Sequence, residues 1–234
     1  MSGARGQILG SIRRSLGRGE VQGEVRSALE ERLTKPKAGL IPKRSQLNGK
    51  GLVDLFCAMA EGVQASIDRV ADMEAVPEAI NRYLAGQNLP ARIKMADHDL
   101  LNALPWDKVP SLTRLTGATA GDDQVSLSAA FAGIAETGTA MLLSGPDGPT
   151  TLNFLPETHM VVLPEEAIVG AYEEAWERLR QHQKDKGLDH LPRTVNLITG
   201  PSRTGDIEQT ILLGAHGPHR LHIILVGDGK EKQG

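Results

Sequence analysis

The chain has 234 residues with a formal net charge of −3, and 40% of its residues are hydrophobic, 24% charged and 3% aromatic. These values are typical of one soluble globular domain with a core of Leu, Ile, Val and Ala, and so few aromatic rings argue against base stacking on nucleic acid. We find neither an apolar run of the roughly 18 residues that span a bilayer nor the apolar segment of a secretory signal, so we expect a cytoplasmic protein without a membrane span.

The first 50 residues form a basic segment, with 11 Lys and Arg against 4 Asp and Glu, whereas the remainder has 15 against 25. Apolar residues such as Ile8, Ile12 and Leu16 recur at helical spacing between arginines. The pattern predicts amphipathic helices that pack on the chain's own domain or on a partner subunit; nucleic-acid binding and a cleaved mitochondrial presequence are weaker alternatives. Because Pro36 and Pro42 interrupt it, we interpret residues 1–50 as a helical arm and linker and residues 51–234 as the main domain.

Residues 51–100 alternate between helical and strand patterns. A helix with one apolar face is predicted from Leu52 to Val63, and a strand follows around residues 65–71. Pro77 can open the next helix, and residues 91–95 form the next predicted strand. This alternation is typical of parallel βα units.

The middle of the chain has little room for helices. Four short strands are predicted there, at residues 125–131, 139–143, 151–154 and 159–163. After Pro164 a helix is predicted from the apolar spacing of Ile168, Val169, Tyr172, Ala175, Trp176 and Leu179, and strands follow at residues 195–199 and 221–226. The order predicts an α/β domain with a mixed sheet in three layers, preceded by N-terminal helices.

A first polar segment, Glu136 to Thr139, separates two of these predicted strands. Gly138 allows a close approach of the backbone, and the Glu136 carboxylate could act as a base, a hydrogen-bond acceptor or a nucleophile. The structural alternative is a buried Glu136 paired with an arginine, for which Arg203 is the obvious partner.

A second polar segment, Ile198 to Glu208, begins at the end of the predicted strand at 195–199, and open α/β sheets gather ligands at such strand ends. If a helix begins over residues 206–213, hydroxyls and backbone N–H groups surround its positive end, and Arg203 adds a planar fork suited to carboxylate or phosphate. The alternative is that Ser202 or Thr204 only caps that helix, with Asp206 and Glu208 complementing its dipole.

Together with a His216-Gly217-Pro218 tail, these two segments resemble the signature of the lactate utilization protein C family (LUD domain). The resemblance runs from about residue 65 to residue 226 and implies the fold shared by ribose-5-phosphate isomerases, glucosamine-phosphate deaminases and CoA transferases. On this reading Glu136 is the candidate catalytic residue. The candidate ligand-binding residues are Thr137, Gly138, Thr139, Gly200, Ser202, Arg203, Thr204, Asp206, Glu208 and His216.

The resemblance implies a component of an L-lactate utilization system, working with separate iron–sulfur oxidoreductase subunits that oxidise lactate to pyruvate. The residues themselves indicate only a site for a small carboxylate or phosphate anion. The alternatives are a stand-alone acyl or CoA transferase, a sugar-phosphate isomerase-like enzyme and a non-catalytic scaffold, and the chain could also form a homo-oligomer.

No cofactor is expected in this chain. A single cysteine, Cys57, cannot supply the thiolates of an iron–sulfur cluster or a structural zinc site, so clusters are expected in partner subunits. The histidines follow no metal-ligand spacing, and His159 and His216 are interpreted as core residues in preference to catalytic ones. Motifs for phosphate loops, dinucleotide binding, zinc peptidases and serine hydrolases are missing from the sequence.

Overall fold

The computed structural model describes residues 3–19, 21–205 and 211–229, and the chain divides into two compact units, Met1–Leu40 and Ile41–Gly234. The first unit contains two helices, α1 (Gly3–Ser15) and α2 (Gly23–Thr34), which confirms the predicted N-terminal helices. Neither helix has a buried residue.

The second unit alternates helices and strands. Its helices are α3 (Lys50–Gly62), α4 (Val76–Gly86), α5 (Asp99–Asn102), α6 (Thr151–Phe154) and α7 (Tyr172–Asp185), with 3-10 turns at residues 43–45, 73–75, 106–108 and 165–167. Its strands are β1 (Ser66–Val70), β2 (Arg92–Met95), β3 (Thr113–Thr116), β4 (Val125–Ala129), β5 (Ala132–Ile134), β6 (Thr139–Leu143), β7 (Thr158–Pro164), β8 (Ile168–Val169), β9 (Val195–Ile198), β10 (Arg203–Gly205), β11 (Ile211–Leu213) and β12 (Arg220–Val226).

The strands form a large parallel sheet, a smaller mixed sheet and a separate antiparallel pair of β10 with β11. The large sheet has six strands in the order β1-β12-β7-β4-β2-β3, and every neighbouring pair is parallel. The smaller sheet has the order β8-β5-β6-β9, in which β5 and β8 are parallel and the other pairs antiparallel. The predicted α/β class is confirmed, and the antiparallel pairs of the named strands lie outside the large sheet.

Both faces of the large sheet are buried, as is usual for parallel strands. On β7 and β12 successive residues point to opposite faces: Val161 and Ile223 pack towards α3 and the smaller sheet, whereas Met160 and Ile224 pack towards α4. The outer face of the smaller sheet packs on α7 through residues such as Leu179. The smaller sheet therefore lies between the large sheet and α7.

Three local predictions were wrong. Residues 151–154 form α6 instead of a strand; Leu152 is buried but Phe154 is 45% exposed, so their spacing does not mark one buried face. The predicted helix after Pro164 begins only at Tyr172, because Ile168–Val169 pair with β5. Residues 211–213 pair with β10 as a strand, which contradicts a helix reaching that far, and residues 206–210 lie outside the described part of the chain.

Two histidines of the large sheet are buried. His159 on β7 is fully buried with its Nε2 3.1 Å from Ser128 Oγ, and burial lowers its pKa to about 3. His222 on β12 has its Nδ1 2.9 Å from Ser66 Oγ and stacks on Tyr83, and burial lowers its pKa to about 4. The interpretation of His159 as a core residue is confirmed.

We predict that acidification destabilises the fold through these two histidines. In the unfolded chain each takes up a proton near pH 6.5, whereas in the fold each stays neutral until about pH 3 or 4. The free energy of unfolding is therefore not reduced by these histidines above pH 6.5. As the pH falls below 6.5, it decreases by about 1.4 kcal/mol per pH unit for each histidine.

Urea unfolding at several pH values between 6 and 4.5 measures this slope. His222→Gln should lower the slope by about 1.4 kcal/mol per pH unit. A slope that is the same in His222→Gln and the wild type would contradict the prediction.

Candidate functional site

The structure brings the two polar segments together at one end of the smaller sheet. Strands β6 and β9 pair antiparallel, with Ala140 opposite Ile198, so the start of β6 meets the end of β9. Thr139 and Thr199 are the next residues outward, and their Oγ1 atoms are 2.6 Å apart. Two segments that are 60 residues apart in the sequence are therefore in direct contact.

Four hydroxyl groups meet at this junction, and we call them the hydroxyl cluster: Thr137, Thr139, Tyr172 and Thr199. Thr139 Oγ1 lies 2.7 Å from Thr137 Oγ1 and 3.1 Å from Tyr172 Oη, and Thr137 Oγ1 lies 3.0 Å from Tyr172 Oη. Each hydroxyl has one hydrogen to donate, so the four depend on one another for their orientation. Because Tyr172 opens α7, the cluster also ties that helix to the smaller sheet.

The glycines of the two segments pack on the same turn of α3. Gly138 has a φ of +64° and Gly200 a φ of +78°, both in the left-handed region that favours glycine. A Cβ atom on Gly138 would overlap the backbone of Ala60, and one on Gly200 would overlap the carbonyl oxygen of Val63. Both positions therefore require glycine, and α3 fixes the place where the segments meet.

Glu136 is held beside this junction. Its backbone N–H donates to Gly170 O at 3.0 Å, which extends the pairing of β5 with β8. The residue is only 8% exposed, yet within the described part of the chain its carboxylate has no hydrogen bond or ion pair. Its carboxylate oxygens are not among the fully buried unpaired atoms of the described residues, so they reach the surface and can accept a hydrogen bond from a molecule outside the chain.

The alternative interpretations of the second segment are not supported by the geometry. No ion pair joins Glu136 to Arg203 among the described residues, and Arg203 is exposed at the start of β10. Ser202 is held by backbone bonds: its N–H donates to Pro218 O, and its carbonyl accepts from the N–H of Gly214, both at 2.9 Å.

The remaining predicted site residues make no side-chain hydrogen bond to the hydroxyl cluster within the described part of the chain. Thr204 is half-buried on β10. His216 is exposed, so its interpretation as a core residue is wrong, and Asp206 and Glu208 lie outside the described residues. Whether Arg203, Thr204 and His216 share a site with Glu136 stays a prediction.

A cleft of about 1100 Å³ opens elsewhere, and no sequence motif predicted it. We call it the carboxyl-end cleft, because the residues that line it include those at the carboxyl ends of β2 and β4, together with the turn at residues 144–150 and the end of α7. Its polar lining includes Ser128, Asn153, Lys186 and Arg193. Each comes from a different segment, and none belongs to a motif, so only the folded chain shows the grouping.

No helix in residues 3–19, 21–205 and 211–229 is both long and apolar enough to cross a membrane. In the same ranges, no three side chains of His, Cys, Asp or Glu are grouped so that they could hold a metal ion.

We predict that Gly138→Ala is much more destabilising than a matched substitution at Gly187, whose φ is +69° and which has no atom within 4 Å of a Cβ position. Gly187→Ala should lower the free energy of unfolding by about 1–2 kcal/mol, the cost of a left-handed alanine. Gly138→Ala should lower it by about 1–3 kcal/mol more, because the new methyl group overlaps α3. Denaturant unfolding of the two variants tests this, and equal losses would contradict the packing of Gly138 on α3.

Comparison with known proteins gives a consistent family. The LUD domain family model matches residues 53–226, a range that includes both polar segments. "Lactate utilization protein C" of Anoxybacillus flavithermus is 36% identical over 95 residues, which are 41% of this chain and 40% of that protein. The protein of the same name from Macrococcus caseolyticus is 27% identical over 160 residues, covering 66% of this chain and 68% of the relative. The match thus spans about two fifths of the Anoxybacillus protein and two thirds of the Macrococcus protein.

A solved structure supports the fold. The crystal structure of a DUF162 family protein from Deinococcus radiodurans superposes with a TM-score of 0.57 at 22% sequence identity, over 77% of this chain and 99% of that one. At this identity the likeness concerns the fold alone. Since the family model covers well over half of the chain, including the large sheet and the junction of the two polar segments, the protein belongs to the LUD domain family.

Proposed function

We propose that this chain is a component of an L-lactate utilization system in the cytoplasm, and that it acts with separate iron–sulfur oxidoreductase subunits that oxidise lactate to pyruvate. The observation that supports the proposal most directly is the LUD domain match over residues 53–226, together with two relatives that carry the name lactate utilization protein C. In this proposal the redox centres belong to the partner subunits, and this chain contributes a site for a small anion.

The small anion is proposed to bind at the junction of the two polar segments. A 2-hydroxy acid such as lactate offers a carboxylate and a neighbouring hydroxyl. The guanidinium of Arg203 suits the carboxylate as a charge-assisted partner. The Glu136 carboxylate, which has no hydrogen bond within the described chain, suits the hydroxyl as an acceptor and as a general base.

The surrounding residues support such a guest. Gly138 and Gly200 bring backbone close to the junction without side chains of their own. Thr199 is exposed while its hydroxyl contacts the buried Thr139, so it can exchange a contact in the hydroxyl cluster for one with a ligand. We therefore assign Glu136 the catalytic role and Arg203 the binding role in the proposed site.

We predict that the tagged chain, expressed in its source organism during growth on L-lactate, co-purifies with iron–sulfur proteins. Mass spectrometry identifies the partners, and the visible absorption of the eluate reports their clusters; the tag alone is the control. The isolated chain should not oxidise lactate. Turnover of a CoA thioester by the isolated chain would instead favour the transferase alternative, and the absence of both partners and turnover would favour a scaffold.

We also predict that Arg203→Ala weakens binding of L-lactate and pyruvate by roughly ten- to a hundredfold, since a hydrogen bond to a charged group contributes about 1.5–3 kcal/mol. Arg203→Lys should bind with intermediate affinity, because it keeps the charge but loses the planar fork. Calorimetric titration measures the affinities, and the exposed Arg44→Ala is the matched control.

Glu136→Gln separates the two proposed contacts. Lactate has a hydroxyl that donates to the carboxylate, whereas pyruvate has a carbonyl that cannot, so this substitution should weaken lactate binding more than pyruvate binding.

Equal affinities of wild type and Arg203→Ala for both anions would remove Arg203 from the site.

A further inference from the structure

The carboxyl-end cleft lies apart from the residues of the proposed lactate site: none of Glu136, Thr137, Thr199 and Arg203 lines it. Its position is the one at which open α/β sheets usually bind ligands, outside the carboxyl ends of parallel strands. Its volume of about 1100 Å³ is slightly above the range of typical small-molecule sites, which measure roughly 300–1,000 Å³. There is room for an organic molecule with a charged head group.

The lining of the cleft includes an amide whose orientation is set by a buried histidine. Ser128 Oγ lies 3.1 Å from His159 Nε2 and 3.4 Å from Asn153 Oδ1. The serine has one hydrogen, so it donates to Asn153 Oδ1 only when His159 carries its proton on Nε2 and donates to the serine. His159 Nδ1 is buried with no partner among the described residues, and an unused lone pair there is less unfavourable than an orphaned N–H.

This chain of hydrogen bonds therefore runs from His159 through Ser128 to Asn153. It uses the oxygen of the Asn153 amide and leaves its NH2 group without a bond to any described residue. Because Asn153 lines the cleft, that NH2 group is available to donate to a guest. His159 acts as a positioning residue in this arrangement, since it reaches the cleft only through Ser128.

The cations and the carboxylates that line the cleft come from different segments of the chain. The end of α7 and the loop after it contribute Lys186 and Arg193, together with His182 and His190, and no carboxylate. The carboxylates that line the cleft are Asp99 and Asp147, which come from α5 and from the turn at residues 144–150. Lys186 and Arg193 form no ion pair within the described residues. Both cations are therefore free to pair with an anionic group.

We propose that the carboxyl-end cleft is a second binding site, which takes the carboxylate or phosphate head group of an organic metabolite between the Asn153 amide and the cations Lys186 and Arg193. This site is independent of the proposed lactate site, since the two share no residue. Carboxylate is a planar oxyanion and phosphate a tetrahedral one, and each accepts several hydrogen bonds. The experiment below distinguishes between them.

The test titrates the full chain with pyruvate and, separately, with inorganic phosphate, while NMR follows the side-chain amide signals of Asn153. We expect at least one of the two anions to shift these signals in a saturable way; a response to pyruvate alone identifies a carboxylate site and a response to phosphate alone a phosphate site. The double variant Lys186→Ala/Arg193→Ala should weaken this binding by at least about tenfold, because it removes two charge-assisted contacts. Both side chains are exposed, so folding should be retained.

Two further variants make the result specific. Lys184→Ala removes a cation from the same helix that does not line the cleft, and it should leave the affinity unchanged. Arg203→Ala should also leave the Asn153 response unchanged, so failure of the proposed lactate site and failure of the cleft site can be told apart. The proposal is overturned if neither anion shifts the Asn153 amide signals, or if the double variant binds as tightly as Lys184→Ala.

Discussion

The contact between two left-handed glycines and the last turn of α3 is the constraint on which the rest of the site depends. Helix α3 packs against the large sheet through Phe56 and Ala60, and the smaller sheet reaches α3 through Gly138 and Gly200. A side chain at either glycine would push the two sheets apart. Because backbone meets backbone there, the position of β6 and β9 relative to the large sheet is set within a narrow range.

That constraint explains why the hydroxyl cluster and Glu136 occur where they do. Because the positions of β6 and β9 are set, Thr139 and Thr199 lie within hydrogen-bond distance of each other. Tyr172, from the first turn of α7, completes the cluster. Glu136 precedes the turn that Gly138 makes possible, so most of its side chain is buried by the same packing. Within the described residues this packing leaves the Glu136 carboxylate without a hydrogen bond, so it can accept one from a ligand.

The sequence predicted well those features that depend on local pattern. Strands β7 and β12 are nearly continuous apolar runs, because both faces of a parallel sheet are buried, and such runs are easily recognised. Residues 151–154 misled the prediction because four residues carry too little periodicity to distinguish a turn of helix from a strand. The two polar segments were predicted from their sequence patterns, and the structure brings Thr139 and Thr199 of these segments into contact. Tyr172 was predicted on an apolar helix face, and the cleft has no motif because its residues come from many segments. Such groupings arise from tertiary contacts, which local pattern does not encode.

Two elements connect the proposed lactate site with the carboxyl-end cleft. Strand β6 runs from Thr139 in the hydroxyl cluster to Leu143 at the cleft, and α7 runs from Tyr172 in the cluster to His182 at the cleft. Five strand residues and about ten helical residues each span roughly 15 Å. This exceeds the Debye length of about 8–10 Å at moderate salt, so a charge bound at one site is largely screened from the other. Any influence of one ligand on the other would therefore have to be carried mechanically by β6 and α7, both of which are anchored at the hydroxyl cluster by Thr139 and Tyr172.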